Sequence, residues 1–153
     1  APAPAPSSTA PFEQWAQEAA EEITTAYTAL RALLHLCESG SYSPAVLSEF
    51  ERRMHECEVF APADPPAAVT ACIRGRADLE DAAFHYVRQL RQVQAVIRNL
   101  LRRMHSAPHP PPAAKLVAYC RFVAASPEFA PGLRVAEAHA GAAGAGEAVG
   151  AGE

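Results

Sequence analysis

Apolar side chains recur every three or four positions from Trp15 onward. Trp15, Ala19, Ile23, Ala26, Leu30, Leu33 and Cys37 step by 4, 4, 3, 4, 3 and 4. That period places them on one stripe of an amphipathic helix of about seven turns. Gly40 supplies its stop, because glycine readily takes the left-handed conformation that closes a helix. A second helix is predicted from Ser43-Pro44, with serine as N-cap and proline at the first helical position, where a missing N–H costs nothing. Its inward stripe is Leu47, Phe50, Met54 and Cys57, and Pro62, Pro65 and Pro66 forbid its continuation.

The third helix has the longest stripe: Leu79, Ala83, Tyr86, Leu90, Val93, Ile97, Leu100 and Met104. Asp78 or Asp81 suits its positive N-terminus, and Arg102, Arg103 and His105 suit its negative C-terminus. Pro108, Pro110, Pro111 and Pro112 form a stiff connector to a fourth, shorter helix over 113–125, with Leu116, Cys120 and Val123 inward. No run alternates as a strand would. The expected fold is all-α: a four-helix bundle over 12–128. An extended Pro-rich arm over 1–11 precedes it, and an Ala/Gly-rich disordered tail over 129–153 follows it.

The 153 residues are 50% hydrophobic and 20% charged, enough apolar surface for a core. Apolar runs such as Ala29–Leu34 are broken by charge well short of a membrane span. A net charge of −4 argues against a general binder of nucleic acid or anionic membrane. Lys115 is the only lysine, and Asn99, the only asparagine, lies outside any glycosylation sequon. The uncharged opening Ala1-Pro2-Ala3-Pro4-Ala5-Pro6 suits the residues left after removal of a signal peptide, and so a secreted protein; a Pro-rich linker inside a cell is the alternative.

Cys37, Cys57, Cys72 and Cys120 are even in number; an oxidising compartment would give two disulfides in one of three pairings. None forms a C-x-x-C. His35-x-Cys37 and His55-x-Cys57 are paired at i and i+2, which on a helix point to different sides, so no metal site is expected. No G-x-S-x-G, P-loop, G-x-G-x-x-G or H-E-x-x-H motif occurs. The histidines are scattered, and Glu18, Glu21 and Glu22 read as a solvated helix face. Neither an enzyme nor a cofactor is expected.

Surface charge remains. Arg88, Arg91, Arg98 and Arg102 step by 3, 7 and 4, which puts them on one face of the third helix; Glu18 and Glu22 share a face of the first. These groups either pair within the chain, where exposed ion pairs contribute about 0–1 kcal/mol each, or meet a partner, where guanidinium–carboxylate pairs give steering and specificity.

Three segments carry a family resemblance: Glu22-Ile23 ahead of Leu36-Cys37, then Phe84-His85-Tyr86-Val87-Arg88-Gln89-Leu90, then Arg98-Asn99-Leu100. With the Pro-rich start and the four cysteines, they resemble the interleukin-4/interleukin-13 group of short-chain helical cytokines. The third helix and its Ala/Pro-rich exit are also similar to interleukin-3. The resemblance implies an up-up-down-down bundle with disulfides Cys37–Cys72 and Cys57–Cys120. It implies a secreted monomer that binds class I cytokine receptors, an interleukin-4 receptor alpha-like chain with a common gamma or interleukin-13 receptor-like second chain, and triggers receptor-associated kinases in immune cells. Glu22 and Arg98 would be the main receptor contacts, with Glu18, Arg88, Arg91 and Arg102 extending the site.

A second resemblance points elsewhere. Arg102–Val123, with its Pro-rich turn before Ala114-Lys115-Leu116, is similar to the helical bundle of Daxx-type transcription adaptors. It implies an intracellular four-helix interaction domain without catalysis, its cysteines kept reduced.

Overall fold

The computed structural model describes residues 8–40, 42–106 and 114–139. Among them every regular element is helical: α1 (Ala10–Ser39), α2 (Pro44–Glu56), α3 (Ala67–Ile73), α4 (Ala77–Ser106), α5 (Ala114–Ala125) and α6 (130–139). The ends follow the local chemistry. Pro11 sits in the first turn of α1, Gly40 closes α1 at φ 67°, and the Ser43 hydroxyl accepts from the Val46 N–H at 3.1 Å with Pro44 opening α2. The 57–66 connection is held from α4: the buried Gln94 amide donates to the carbonyls of Val59 at 2.9 Å and Ala61 at 2.7 Å.

The contacts between helices fix their directions. Trp15 meets the Tyr86 ring edge-on near the start of both α1 and α4. At the other end, Cys37 of α1 lies against Cys120 of α5, beside Tyr119, which takes a hydrogen bond from Asn99 of α4 at 2.7 Å. α1 and α4 therefore run parallel and in register over their length. α2 opposes α4, because Glu51 meets His105 while Phe60, just past α2, lies under Arg98. α5 opposes α1, because Cys120 lies at Cys37 and the Glu128 carbonyl at the Tyr27 hydroxyl. In chain order α1, α2, α4 and α5 run up, down, up, down.

That order corrects the up-up-down-down expectation. Residues 40–43 reach at most ~14 Å, against ~45 Å for the 30 residues of α1, so the chain cannot return to the start of α1 before α2 begins. Further departures concern boundaries. α1 starts two residues earlier than expected, and residues 1–7 of the arm lie outside the described residues. α3 begins directly after Pro66, between the second and third expected helices, where Val69 and Ile73, one turn apart, bury against Phe12 and Ala83. The chain after Phe129 is not all tail. α6 buries Ala136 and packs Leu133 on the main core, and Gly132 lets it approach α1: a Cβ there would fall 2.4 Å from Tyr27 Cζ. Residues 140–153 lie outside the described residues.

The main core, with Leu30, Leu33, Leu47, Val93, Ile97, Leu100, Met104, Cys120 and Val123 almost fully buried, fills the space between α1, α2, α4 and α5.

Candidate functional site

The expected disulfides are absent: all four cysteines are free thiols. Cys37 and Cys120 are both buried and hydrogen-bond each other, and burial pushes both thiols up from the ordinary thiol range. Cys72 lies with Phe12 and Trp15 at the start of α1, about 25 residues or ~37 Å along the helix from Cys37. Cys57, expected to face inward, is exposed beside Thr25, about 12 residues or ~18 Å from the level of Cys37 and Cys120. A disulfide needs Cα atoms within ~7 Å, so neither Cys37–Cys72 nor Cys57–Cys120 can close.

The arginines of α4 are mostly engaged within the chain. Arg91 pairs with Asp64 of the 57–66 connection. Arg98 stacks 4.8 Å over the Phe60 ring, and Arg102 donates to the side-chain Oδ1 of Asn99. Arg88 is exposed. Glu18 is exposed and Glu22 half-buried on α1. The structure brings Glu22 and Arg98 to opposite flanks of the 57–60 turn, Glu22 on the Glu58 side and Arg98 over Phe60. Glu58 holds a left-handed φ of 59°, a conformation costing a non-glycine residue roughly 1–2 kcal/mol.

Glu18, Glu21, Glu22 and Glu58 surround a shallow depression with Thr25 and Cys57. Among the described residues no cation pairs with any of these four carboxylates. The Glu22 carboxyl is raised above its usual range, first by burial and then by the charges of Glu18 and Glu58.

The depression opens into a larger groove. α1 and α2 face each other with few close approaches, leaving an open volume of about 430 Å³ between them. One wall is small: Thr24, Thr25, Thr28, Ala29 and Ala32 of α1. The three threonine hydroxyls are turned back onto α1, donating to the carbonyls of Ala20, Glu21 and Thr24 at 3.0, 3.0 and 2.8 Å. The other wall is Phe50, Arg53, Met54 and Cys57 of α2 with Val59 beyond it, and His139 of α6 closes one side. From Phe50 the apolar surface runs on to Val46, 46% exposed.

Sequence reasoning placed Glu18 and Glu22 but neither Glu58 nor the groove. The threonine triplet Thr24, Thr25, Thr28 on a helix otherwise rich in alanine was the available signal. Gln94 was missed too; a polar residue at i+4 from Leu90 and i−3 from Ile97 sits on the inward stripe and was legible as a buried anchor.

No helix among the described residues is long and apolar enough to cross a membrane, and no described cluster of His, Cys, Asp or Glu could hold a metal ion. The chain matches no protein-family model, no curated protein and no solved structure.

Proposed function

We propose that this chain is a non-catalytic protein-interaction module that takes up a helical segment of a partner in the groove between α1 and α2. The observation that carries the reading is the groove itself: an open trough between two helices, one wall of small residues whose hydroxyls are internally bonded, the other of Phe50, Met54 and Cys57 with Arg53 paired to Glu49. Such a trough receives an amphipathic helix through apolar anchors one and two turns apart. Four free thiols accord with the reduced, intracellular setting that the Daxx-type resemblance implies. The test is Thr25→Trp, which puts an indole into the groove from an exposed position. It should abolish binding of groove-directed helical ligands while helicity and melting stay as in the parent.

A second reading, the secreted interleukin-4/interleukin-13-like cytokine, draws on the placement of Glu22 and Arg98 around one turn. The up-down-up-down order and the free thiols weigh against it. It requires that the parent bind a class I receptor ectodomain, and that Glu22→Ala and Arg98→Ala each weaken that complex at least tenfold. Failure of the parent to bind any such ectodomain disposes of it.

A further inference from the structure

Resting on the groove reading above, we infer that the groove is polar in charge and selects a partner helix of about three turns that carries lysine or arginine at one end, over Glu18, Glu21, Glu22 and Glu58. The apolar track on α2 runs from Val46 through Phe50 and Met54 to Cys57, 11 residues or ~16 Å, which is the length of three helical turns. Thr25 and Cys57 line both the apolar trough and the acidic depression, so the two are continuous and an occupant of the first meets the second. Four carboxylates line the depression and none is paired with a cation among the described residues, whereas Arg53, which lines the trough one turn before Cys57, is already paired with Glu49. Opposite charge on an incoming segment would relieve the repulsion among these carboxylates, and it would orient the helix, because only one of its two directions brings the basic end to them. The Glu22 carboxyl, raised first by burial and then by the charges of Glu18 and Glu58, agrees with this.

Two other occupants fit less well. Residues 140–153 follow His139 at the groove edge, but they contain two glutamates and no basic residue, the wrong sign for the acidic end. A second copy of the chain buries the apolar stripes of its own helices and leaves isolated side chains exposed, such as Phe84 on α4 and Phe122 on α5, rather than a three-turn apolar face.

The experiment is a display selection of helical peptides of about 14 residues, randomised at both ends, against the full chain, with each binder counter-screened on Thr25→Trp. The expected result is a set of binders lost on Thr25→Trp, enriched in Lys or Arg at one end only. Their affinity should fall about tenfold or more on Glu18→Lys/Glu21→Lys, two exposed positions, and should weaken with added salt. Peptides with that end changed to Glu should reverse the preference and favour the double variant. Binders that are lost on Thr25→Trp but show no basic end, or ignore the double variant, would overturn the charge inference and leave the groove standing. An absence of any Thr25→Trp-sensitive binder would overturn the groove reading and the inference with it. A concentration-dependent dimer abolished by Thr25→Trp would name a second copy as the occupant and overturn the inference as well.

Discussion

Replacing Gln94 by Met removes two hydrogen bonds while keeping nearly the same side-chain volume, so the cost reads out the bonds rather than a cavity. Gln94 is 5% exposed, and its amide is what α4 offers to the carbonyls of Val59 and Ala61. A neutral hydrogen bond contributes about 0.5–1.5 kcal/mol net, but a buried acceptor left unmade costs about 1–3 kcal/mol. Val59 is buried and its carbonyl stays dry; Ala61 is half-buried and water can reach its carbonyl. The expected loss is therefore about 2–4 kcal/mol, the larger share from Val59, and a fall in melting temperature on the order of 10 °C. Urea unfolding followed by circular dichroism measures the first, and hydrogen exchange gives a local signature. Protection over 57–66 should fall more than protection over α1. Ile97→Ala serves as the control, since a core cavity costs a comparable ~2–5 kcal/mol without singling out that connection. A loss below about 0.5 kcal/mol for Gln94→Met, or unchanged exchange over 57–66, would refute the claim that α4 holds this segment through Gln94.

Three further outcomes follow from the same structure. A thiol reagent should find four reactive cysteines in the denatured chain; in the native protein Cys57 reacts fast, while the buried Cys37 and Cys120, whose thiols are pushed up, lag far behind, and a disulfide-linked native chain would contradict this. Glu22 has a raised carboxyl in the fold, so just above the ordinary glutamate range the native state binds more protons than the unfolded chain and stability falls as pH rises through its raised value; Glu22→Gln should raise the melting temperature near pH 7 and leave it unchanged near pH 3, and equal effects at both would show the carboxylate is not strained. Gly132→Ala should drive the Tyr27 ring from its seat and cost about 1–3 kcal/mol, read as a loss of α6 helicity and of the Tyr27–Glu128 hydrogen bond, whereas a silent Gly132→Ala would mean α6 docks more loosely than described.

The long helices were legible because their signals are local. The stripes ending at Cys37 and Met104, the Gly40 stop and the Ser43-Pro44 start are set by residues within a few turns, and the structure has them where the spacing put them. α3 and α6 were not, because their stabilisation is tertiary. Val69 and Ile73 form too short a period to stand out, and α6 depends on a Tyr27 contact 105 positions away in the chain. Direction was misjudged because the family motifs carry no information on topology, while the short 40–43 link did. The acidic rim was half legible. Glu18 and Glu22 share a helix face, but Glu58 joins them only through the turn after α2, and no pattern along the chain announces that.

The parallel pairing of α1 with α4 has a consequence for synthesis. Trp15 and Tyr86 meet across 71 positions, so α1 leaves the ribosome long before the helix that covers it. At about 5–20 residues per second, the fully buried Leu30 and Leu33 wait roughly 4–14 s for their α4 neighbours to be made. During that time α2 alone cannot cover the stripe, since it brings only Leu47 and Met54 fully into the core that α4 and α5 later complete. The nascent chain thus presents a long apolar helix to chaperones or to other nascent chains. A fragment that stops before α4 would keep that exposure permanently and collect as aggregate rather than as a smaller domain.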